Sequence, residues 1–526
     1  MTMKMTNQRN DLRLRGLVLL LGTAILGGCA SADGDDSAAG AGDEGSPGVG
    51  PGVGQGGAQD FGQFRSILEQ GGIPGPETLD DVGFFNEHKL EFPAPDCGAD
   101  VCLHGELGFM GNLITGTSCT TVMIGMNTPV DPAEMTRPPL DLALVIDTSG
   151  SMAGEPIEYV REGLLRMLDD LRPEDRVSII AFSDEAEILV ETAPGDATAD
   201  LTLAIDAIYA NGSTNIYDGL RTGYELVVAT TEPGRQSRVV LLSDGEATAG
   251  ITSSSKIVAM SAGFNAIGHS LATIGIGEDF DPVLMRELSE AGGGSFYYLE
   301  DPAAVQEVFE QEVTTFLVPL ARDLRIDVDI DAGYSLRALY GTKLFELEGN
   351  QASITIPSVQ IAHRTQVSDN DGGRRGGGGA IVLELLPNAS GYEEAGVVGR
   401  LAMTYERPAD GEIISQEAVL LTSLAPGETP NGGVFESAGV EKAFVTLNIY
   451  VGLHLASERA LWGDDQSALA VLLALAGSVQ EWLVANPDED IADDLRYVQM
   501  FIDNLRARGA AEPPPEQNPA EPWPQD

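Results

Sequence analysis

The chain has 526 residues, more than one hydrophobic core normally serves, so two or three packed units joined by linkers are expected. It carries 81 Asp and Glu against 30 Lys and Arg, a formal charge of -51. Phosphate backbones and anionic membrane surfaces would repel such a chain, so we expect no nucleic-acid partner; cations, basic surfaces and acidic groups reached through a bridging metal stay open.

The beginning of the chain has the pattern of an export signal. Four basic residues lie within the first 15 positions, an apolar run too short to span a bilayer covers residues 16–28, and Cys29 follows. Leu-Gly-Gly-Cys resembles the bacterial lipobox, which implies a signal peptide over residues 1–28 and a lipid anchor on Cys29. An ordinary signal peptide with an incidental cysteine is the alternative. Ala30, in place of Asp, resembles the pattern of Gram-negative lipoproteins that reach the outer membrane, so we expect that location in the cell envelope.

A tether and a cysteine-bearing segment follow. Residues 29–60 are rich in Gly, Ala, Ser and Asp with little apolar mass, which predicts a flexible tether. Residues 61–135 contain Cys97, Cys102 and Cys119, an odd number in a compartment where disulfides persist. Cys102 is able to pair with Cys97 or with Cys119, and one thiol is left over in either case.

Residues 136–318 alternate between short β-branched runs and helical periodicity. The runs LDLALVID, RVSIIAFS, SRVVLLSD and HSLATIGIG are separated by helical patterns. Strands that alternate with helices imply a mainly parallel sheet covered on both faces. The sequence therefore predicts a doubly wound, Rossmann-like α/β domain.

The apolar period changes to two over residues 319–424, as in RIDVDIDA and GRLAMTYE, which predicts an antiparallel β-sandwich. Helical signals return over residues 438–509, and the Pro- and Glu-rich residues 510–526 predict a disordered tail. The strand-like runs CLHGELGFM and CTTVMIGMN, within residues 61–135, are predicted to join the sandwich. The α/β domain would then be inserted between sandwich strands.

Three loops of the α/β domain carry the candidate site. DTSGSM (147–152) follows the first strand, GSTN (212–215) precedes a helix, and SDG (243–245) follows the strand VVLL. In a doubly wound sheet, the loops at the carboxyl ends of the strands gather at one edge, where ligands bind. Hydroxyl and carboxylate oxygens without His or Cys make a hard donor set that suits Mg²⁺ or Mn²⁺.

This order of DxSxS, GSTN and a strand ending in SDG resembles the metal-ion-dependent adhesion site of von Willebrand factor A domains. The resemblance implies that Ser149, Ser151 and Thr214 contact the metal directly, while Asp147 and Asp244 act through water. An ion with few direct carboxylate ligands stays electron-poor. A Glu or Asp of a partner protein is therefore expected to fill the open position.

The resemblance extends beyond the metal loops. FRSILEQGGIPGPETLDDVGFFN (64–86) looks like the amino-terminal segment of bacterial YfbK-type von Willebrand factor A lipoproteins, and the region after Leu317 looks like their carboxyl-terminal part. The insertion of the α/β domain between sandwich strands is similar to integrin-like and inter-alpha-trypsin-inhibitor heavy-chain architectures. The family implies protein binding or adhesion as a class.

Two other functions are kept as alternatives. An enzyme needs a nucleophile beside a base, but the five histidines are scattered, none stands in HExxH spacing and no GxSxG motif occurs. We therefore expect no catalysis, and a hydrolase that uses Ser149 is the weaker alternative. The other alternative is a structural lipoprotein in which the metal only joins the three loops; in that case Asp147→Ala would lower the melting temperature rather than abolish partner binding.

Overall fold

The structure is a computed structural model, and it describes residues 52–131, 137–244, 246–277, 281–299, 308, 319–361, 379–388, 396–428 and 432–513. The predicted signal peptide, the lipidation site Cys29, the tether before residue 52 and the tail from residue 514 lie outside these residues. Strands and helices are numbered below along the described chain.

The amino-terminal segment contributes to every later unit of the fold. Its elements are β1 (Val53–Gly54), β2 (Gly57–Ala58), α1 (Gly62–Glu69), α2 (Asp81–Asn86), β3 (Cys102–Gly111) and β4 (Ser118–Asn127). A disulfide joins Cys97 to Cys102, and Cys119 is a buried free thiol. Of the two pairings that the sequence left open, the structure contains the one that closes the shorter loop, between Cys97 and Cys102.

The α/β domain follows, with β-branched strands between amphipathic helices. Its elements are β5 (Leu140–Asp147), α3 (Glu155–Met167), β6 (Arg176–Phe182), β7 (Ala186–Pro194), α4 (Thr198–Asp206), α5 (Ile216–Ala229), β8 (Gln236–Ser243), α6 (Ser254–Asn265), β9 (His269–Ile276), α7 (Pro282–Ala291) and β10 (Gly293–Leu299). The sheet order is β2-β10-β9-β8-β5-β6-β7, parallel except for β7. Helices α3 and α4 pack on one face and α5, α6 and α7 on the other. The predicted doubly wound fold is confirmed.

Two antiparallel sheets form the sandwich. Its later strands are β11 (Pro319–Ile330), β12 (Tyr334–Tyr340), β13 (Phe345–Glu348), β14 (Gln351–Ile361), β15 (Ile381–Pro387), β16 (Val397–Glu406), β17 (Ile413–Leu421) and β18 (Val434–Phe435). One sheet has the order β1-β14-β11-β16-β17, with β13 beside β14, and the other has the order β12-β15-β4-β3-β18. Alternate side chains of both sheets share one apolar core. Because β3 and β4 precede the α/β domain, that domain is inserted between sandwich strands.

Three long helices complete the fold: α8 (Ala438–Leu461), α9 (Asp465–Ala485) and α10 (Glu489–Arg508). Ser437, Asp464 and Asp488 cap their amino ends with side-chain hydrogen bonds. Among the described residues, α9 alone is long and apolar enough to cross a bilayer. Here α9 packs against α8 and α10, and a core helix passes the same test of length and composition.

Residues 53–58 correct the predicted extent of the tether, which was expected to reach residue 60. Val53 pairs with Ile361 in the sandwich, and Gly57 pairs with Ser295 in the α/β sheet. Gly56 has a φ of +77°, and a Cβ atom there would lie 2.7 Å from the carbonyl oxygen of Gly294. The glycines therefore allow two backbones to approach closely. From composition alone, the same glycines predict a flexible tether.

A group of charged side chains lies where the amino-terminal segment, the α/β domain and the sandwich meet. Lys343, which follows β12, pairs with Asp81 on α2 and lies 3.4 Å from Asp80, which caps the amino end of α2. Arg286 on α7 lies 3.6 Å from Asp80. Burial, reinforced by the Asp80 carboxylate, raises the pKa of Glu290 on α7 to about 8. We call these five residues the seam cluster.

Candidate metal centre

The three predicted loops meet at the carboxyl edge of the parallel sheet. Strands β5 and β8 are neighbours, with Ile146 opposite Leu242. Every residue of β5 is buried, so its last residue, Asp147, emerges in the middle of the sheet edge. Asp244 follows the end of β8 directly alongside. The two carboxylates are thus brought together by strand pairing, although 97 positions separate them along the chain.

Asp147 is fully buried and held by hydrogen bonds at both oxygens. Oδ1 accepts from the backbone N–H of Ser149 at 2.8 Å, and Oδ2 accepts from the Ser243 hydroxyl at 2.5 Å. Burial raises the pKa of Asp147, and these hydrogen bonds oppose the shift. The carboxylate therefore has a fixed position before any ligand arrives.

A row of hydroxyls connects the first loop to the third. The Ser149 and Ser151 Oγ atoms are 3.0 Å apart, and Ser151 Oγ donates to Asp244 Oδ1 at 2.9 Å. Ser149 is buried while Ser151 is exposed, so the row runs from the sheet edge to the surface. Four of the five predicted residues are thus joined by one string of hydrogen bonds, in which Ser149 contacts Asp147 through its backbone N–H.

Thr214 reaches the site through its backbone. In its loop, the carbonyl of Gly212 accepts from the N–H of Gly150 at 3.1 Å. The Thr214 N–H donates to Thr248 Oγ1 at 2.9 Å, and the Thr214 carbonyl accepts from the N–H of Thr248 at 2.9 Å. The second loop is therefore bonded to both of the others, while no hydrogen bond of the Thr214 hydroxyl occurs among the described contacts.

Several supporting residues had no assigned role in the sequence. Ser243 is the buried last residue of β8, and a polar residue at the end of an apolar strand was the available signal. Asp184, in the turn after β6, accepts hydrogen bonds from the Ser213 N–H at 3.1 Å and from the Ser213 hydroxyl. Thr248 follows the third motif by only a few residues, and no motif marks it.

The donor set fits a small, hard cation. All candidate ligands are hydroxyl or carboxylate oxygens, the atoms that Mg²⁺ and Mn²⁺ prefer. Within the described ranges, no group of three or more His, Cys, Asp or Glu residues could hold a metal by itself. The residues that would hold such an ion are those of the three loops, with the hydroxyls of Ser149 and Ser151 beside the carboxylates of Asp147 and Asp244.

Ser149 has no histidine beside it in the described part of the chain. Its hydroxyl lies against Ser151, whereas His88 lies 2.7 Å from Asp494 and His104 lies 2.7 Å from Asn127. His269 begins β9 at the opposite edge of the sheet. None of these three histidines is therefore placed to remove a proton from Ser149.

Comparison with known proteins identifies the family of the central domain. The profile of the von Willebrand factor type A domain matches residues 141–311. The uncharacterized protein YfbK of Escherichia coli K12 is 27% identical over 199 residues, which cover 38% of this chain and 35% of YfbK. The uncharacterized protein sll0103 of Synechocystis is 25% identical over 345 residues, 65% of this chain and 78% of that protein. The chain thus spans about a third of YfbK.

Among solved structures, a von Willebrand factor type A protein from Catenulispora acidiphila is 15% identical. The match covers 77% of this chain and 96% of that one, with a TM-score of 0.47.

Proposed function

Because residues 141–311 form a von Willebrand factor type A domain in a YfbK-like bacterial protein, we propose that the chain binds a partner protein through Mg²⁺ or Mn²⁺ at the carboxyl edge of its sheet. Domains of this family are typically interaction modules, and they often bind partners at a metal-ion-dependent site. We further propose that Cys29 carries a lipid anchor and that the protein resides in the outer membrane of a Gram-negative cell envelope.

The string of hydrogen bonds from Asp147 through Ser149 and Ser151 to Asp244 carries this proposal. Ser151 is exposed, so an ion held there would be accessible from the solvent. Because hydroxyls dominate the direct contacts, the cation would retain most of its charge. A Glu or Asp carboxylate from the partner would then complete its coordination.

A purely structural role for the metal is the weaker candidate. Protein hydrogen bonds already join the loops, through Gly150 and Gly212, through Thr214 and Thr248, and through Asp147 and Ser243. A metal is therefore not required to connect them. The same contacts make Asp147→Ala a poor test, since that change removes two hydrogen bonds of a buried carboxylate whether or not a metal binds.

Thr214→Val gives a cleaner test because it keeps the side-chain shape and the backbone contacts. We expect calorimetric titration of MgCl2 or MnCl2 into residues 47–526 to show one ion for the wild type and at least about tenfold weaker binding for Thr214→Val. Thr202→Val, on α4, is the matched control and should bind like the wild type. The unfolding free energy of metal-free Thr214→Val should stay within about 0.5 kcal/mol of the wild type.

The open position is tested with a small carboxylate. N-acetyl-glutamate amide should tighten Mn²⁺ binding, and the glutamine analogue should not. If the wild type takes up no ion even with the glutamate probe present, the adhesion-site proposal is wrong. If an ion binds but both probes leave its affinity unchanged, the structural role is correct instead.

A further inference from the structure

The surface around the metal centre is acidic. Four of the loops at this edge of the α/β sheet cover residues 147–155, 183–186, 207–215 and 243–253, and none of these stretches contains Lys, Arg or His. Besides the candidate ligands, they carry four exposed acids: Glu155, Asp184, Glu185 and Glu246. We call these four residues the acidic rim. A partner that reaches the metal must therefore enter a region of negative potential.

A bound divalent cation would leave the charge of the acidic rim uncompensated. Its two positive charges balance the carboxylates of Asp147 and Asp244, while the rim carboxylates stay negative. The rim therefore opposes the approach of a partner carboxylate that has no positive charge beside it. A second copy of this chain is disfavoured for the same reason, since its acids outnumber its bases by 81 to 30. The charge pattern favours a partner segment that places a cation next to its acidic residue.

Asp184, in the turn between β6 and β7, is bonded directly to the second loop of the metal centre. Its Oδ1 accepts from the backbone N–H of Ser213 at 3.1 Å and also from the Ser213 hydroxyl. Its backbone carbonyl accepts from Asn215 Nδ2 at 2.9 Å. Ser213 and Asn215 are the neighbours of Thr214 along the chain. The carboxylate of Asp184 is therefore held in place one residue away from a candidate ligand.

The second carboxylate oxygen of Asp184 is available to a partner. Oδ2 accepts no hydrogen bond among the described contacts, and the side chain is exposed. Oδ2 lies 3.3 Å from the position of a Cβ atom on Gly212, whose carbonyl accepts from the N–H of Gly150 in the first loop at 3.1 Å. The hydrogen bonds from Ser213 lower the pKa of Asp184, so it carries its charge at neutral pH. A fixed negative oxygen thus stands beside the contact between the first two loops.

Given the metal-dependent binding proposed above, on which this step depends, we propose that the metal centre selects an acidic residue flanked by Lys or Arg in the partner protein. The Glu or Asp carboxylate binds the metal, and the flanking Lys or Arg donates a hydrogen bond to Asp184 Oδ2. An exposed ion pair of this kind adds only modest affinity, so its main effect is on the choice of partner. Asp184 is therefore a specificity-determining residue.

The test is calorimetric titration of the full chain, saturated with Mn²⁺ in a neutral detergent, with acetylated and amidated pentapeptides. Lys-Gly-Glu-Gly-Lys carries flanking cations, Ala-Gly-Glu-Gly-Ala lacks them, and Lys-Gly-Gln-Gly-Lys lacks the carboxylate. At low salt, we expect the first peptide to bind at least about threefold more tightly than the second, and the third not to bind. High salt should reduce the difference between the two glutamate peptides, because exposed charges are screened.

Asp184→Asn isolates the contribution of this carboxylate, because an asparagine oxygen still accepts the hydrogen bonds of Ser213. The variant should bind both glutamate peptides with equal affinity. It should also bind the alanine-flanked peptide at least as tightly as the wild type does, which shows that the metal centre is intact. Asp196→Asn is the matched control, since Asp196 is exposed in the turn after β7, at the opposite edge of the sheet. The control should keep the full preference for the lysine-flanked peptide.

The peptides distinguish failure of this inference from failure of the proposed function. If the wild type binds both glutamate peptides equally, or if Asp184→Asn keeps the preference, Asp184 does not select the partner, while metal-dependent binding of a carboxylate stands. If neither glutamate peptide binds, the proposed function is wrong and this inference with it. If the glutamine peptide binds as tightly as its glutamate counterpart, the acidic rim attracts cations without the metal, which also overturns the inference.

Discussion

Glu384, in the middle of β15, is a buried carboxyl whose charge is poorly compensated. Burial raises its pKa to about 7, and Arg337, with Nε 3.9 Å from Oε2, opposes this only in part. Between the ordinary carboxyl pKa of 4.5 and about 7, the folded chain keeps a proton that the unfolded chain has released. The free energy of unfolding therefore falls as the pH rises through this window.

Glu384→Gln should remove this pH dependence, since glutamine stays neutral. At pH 8 the variant is expected to be more stable than the wild type by about 1–3 kcal/mol, and at pH 5 the two should be nearly equal. Urea unfolding at the two pH values measures the difference. An equal effect of the substitution at both pH values would show that packing, and not ionisation, distinguishes the two side chains.

At the metal centre, the sequence could predict the candidate ligands but not the residues that hold them in place by hydrogen bonds. Asp147, Ser149, Ser151, Thr214 and Asp244 stand in motifs whose order matches a known kind of site, and the carboxyl-edge rule gathers their loops. The geometry brings four of them into one hydrogen-bonded string. Ser243 and Thr248 act through contacts between loops distant in sequence, and no local pattern encodes such contacts.

Strands β1 and β2 are short elements whose contribution to the free energy of unfolding depends on close backbone packing. Gly56 lies between them against the carbonyl oxygen of Gly294, whereas Gly71, with a φ of +81°, has no atom within 4 Å of a Cβ position. The two glycines share a positive φ and differ in their surroundings. They therefore form a matched pair for separating backbone strain from contact.

Gly56→Ala should lower the free energy of unfolding by about 2–4 kcal/mol, because it adds both strain and a clash that separates β2 from β10. Gly71→Ala should lower it by about 1 kcal/mol, from strain alone. Chemical denaturation of the two variants provides the comparison. Equal losses of unfolding free energy would mean that backbone strain explains both effects. The contact of Gly56 with Gly294 would then contribute nothing to stability.

Helices and long strands were predictable because their apolar periods extend over many residues. The stripe on α3 and the alternation in β11 each repeat often enough to identify the element. Two-residue strands such as β1 and β2 have no period, and their glycine-rich context points to a linker. Their pairing is determined by strands some 240 to 310 positions away, so only the folded chain reveals it.

At the scale of the whole molecule, the seam cluster connects units that the sequence suggests are separate. Lys343 belongs to the sandwich, Asp80 and Asp81 to the amino-terminal segment, and Arg286 and Glu290 to the α/β domain. Both aspartates are buried, and Arg286 remains beside Asp80, so removal of Lys343 leaves the charge of Asp81 without a cation beside it. The units should therefore unfold together.

Lys343→Met is expected to lower stability by about 1–3 kcal/mol, less than for a fully buried pair because the lysine is partly exposed. It should also split a single calorimetric transition into two. Lys256→Met, on the exposed side of α6, is the control and should change stability by less than about 0.5 kcal/mol. If Lys343→Met lowers stability no more than Lys256→Met does, the units are held together by apolar packing alone.

The position of residues 53–58 also has a mechanical consequence. A pull between the amino end of the chain and a partner held at the metal centre reaches this segment before any other described element. Strand β2 runs parallel to β10 over two paired residues, so a force along the strand loads their backbone hydrogen bonds in shear. The short pairings of β1 and β2 would thus be the first to break, and their rupture would lengthen the chain before the remaining strands of the α/β sheet bear the load.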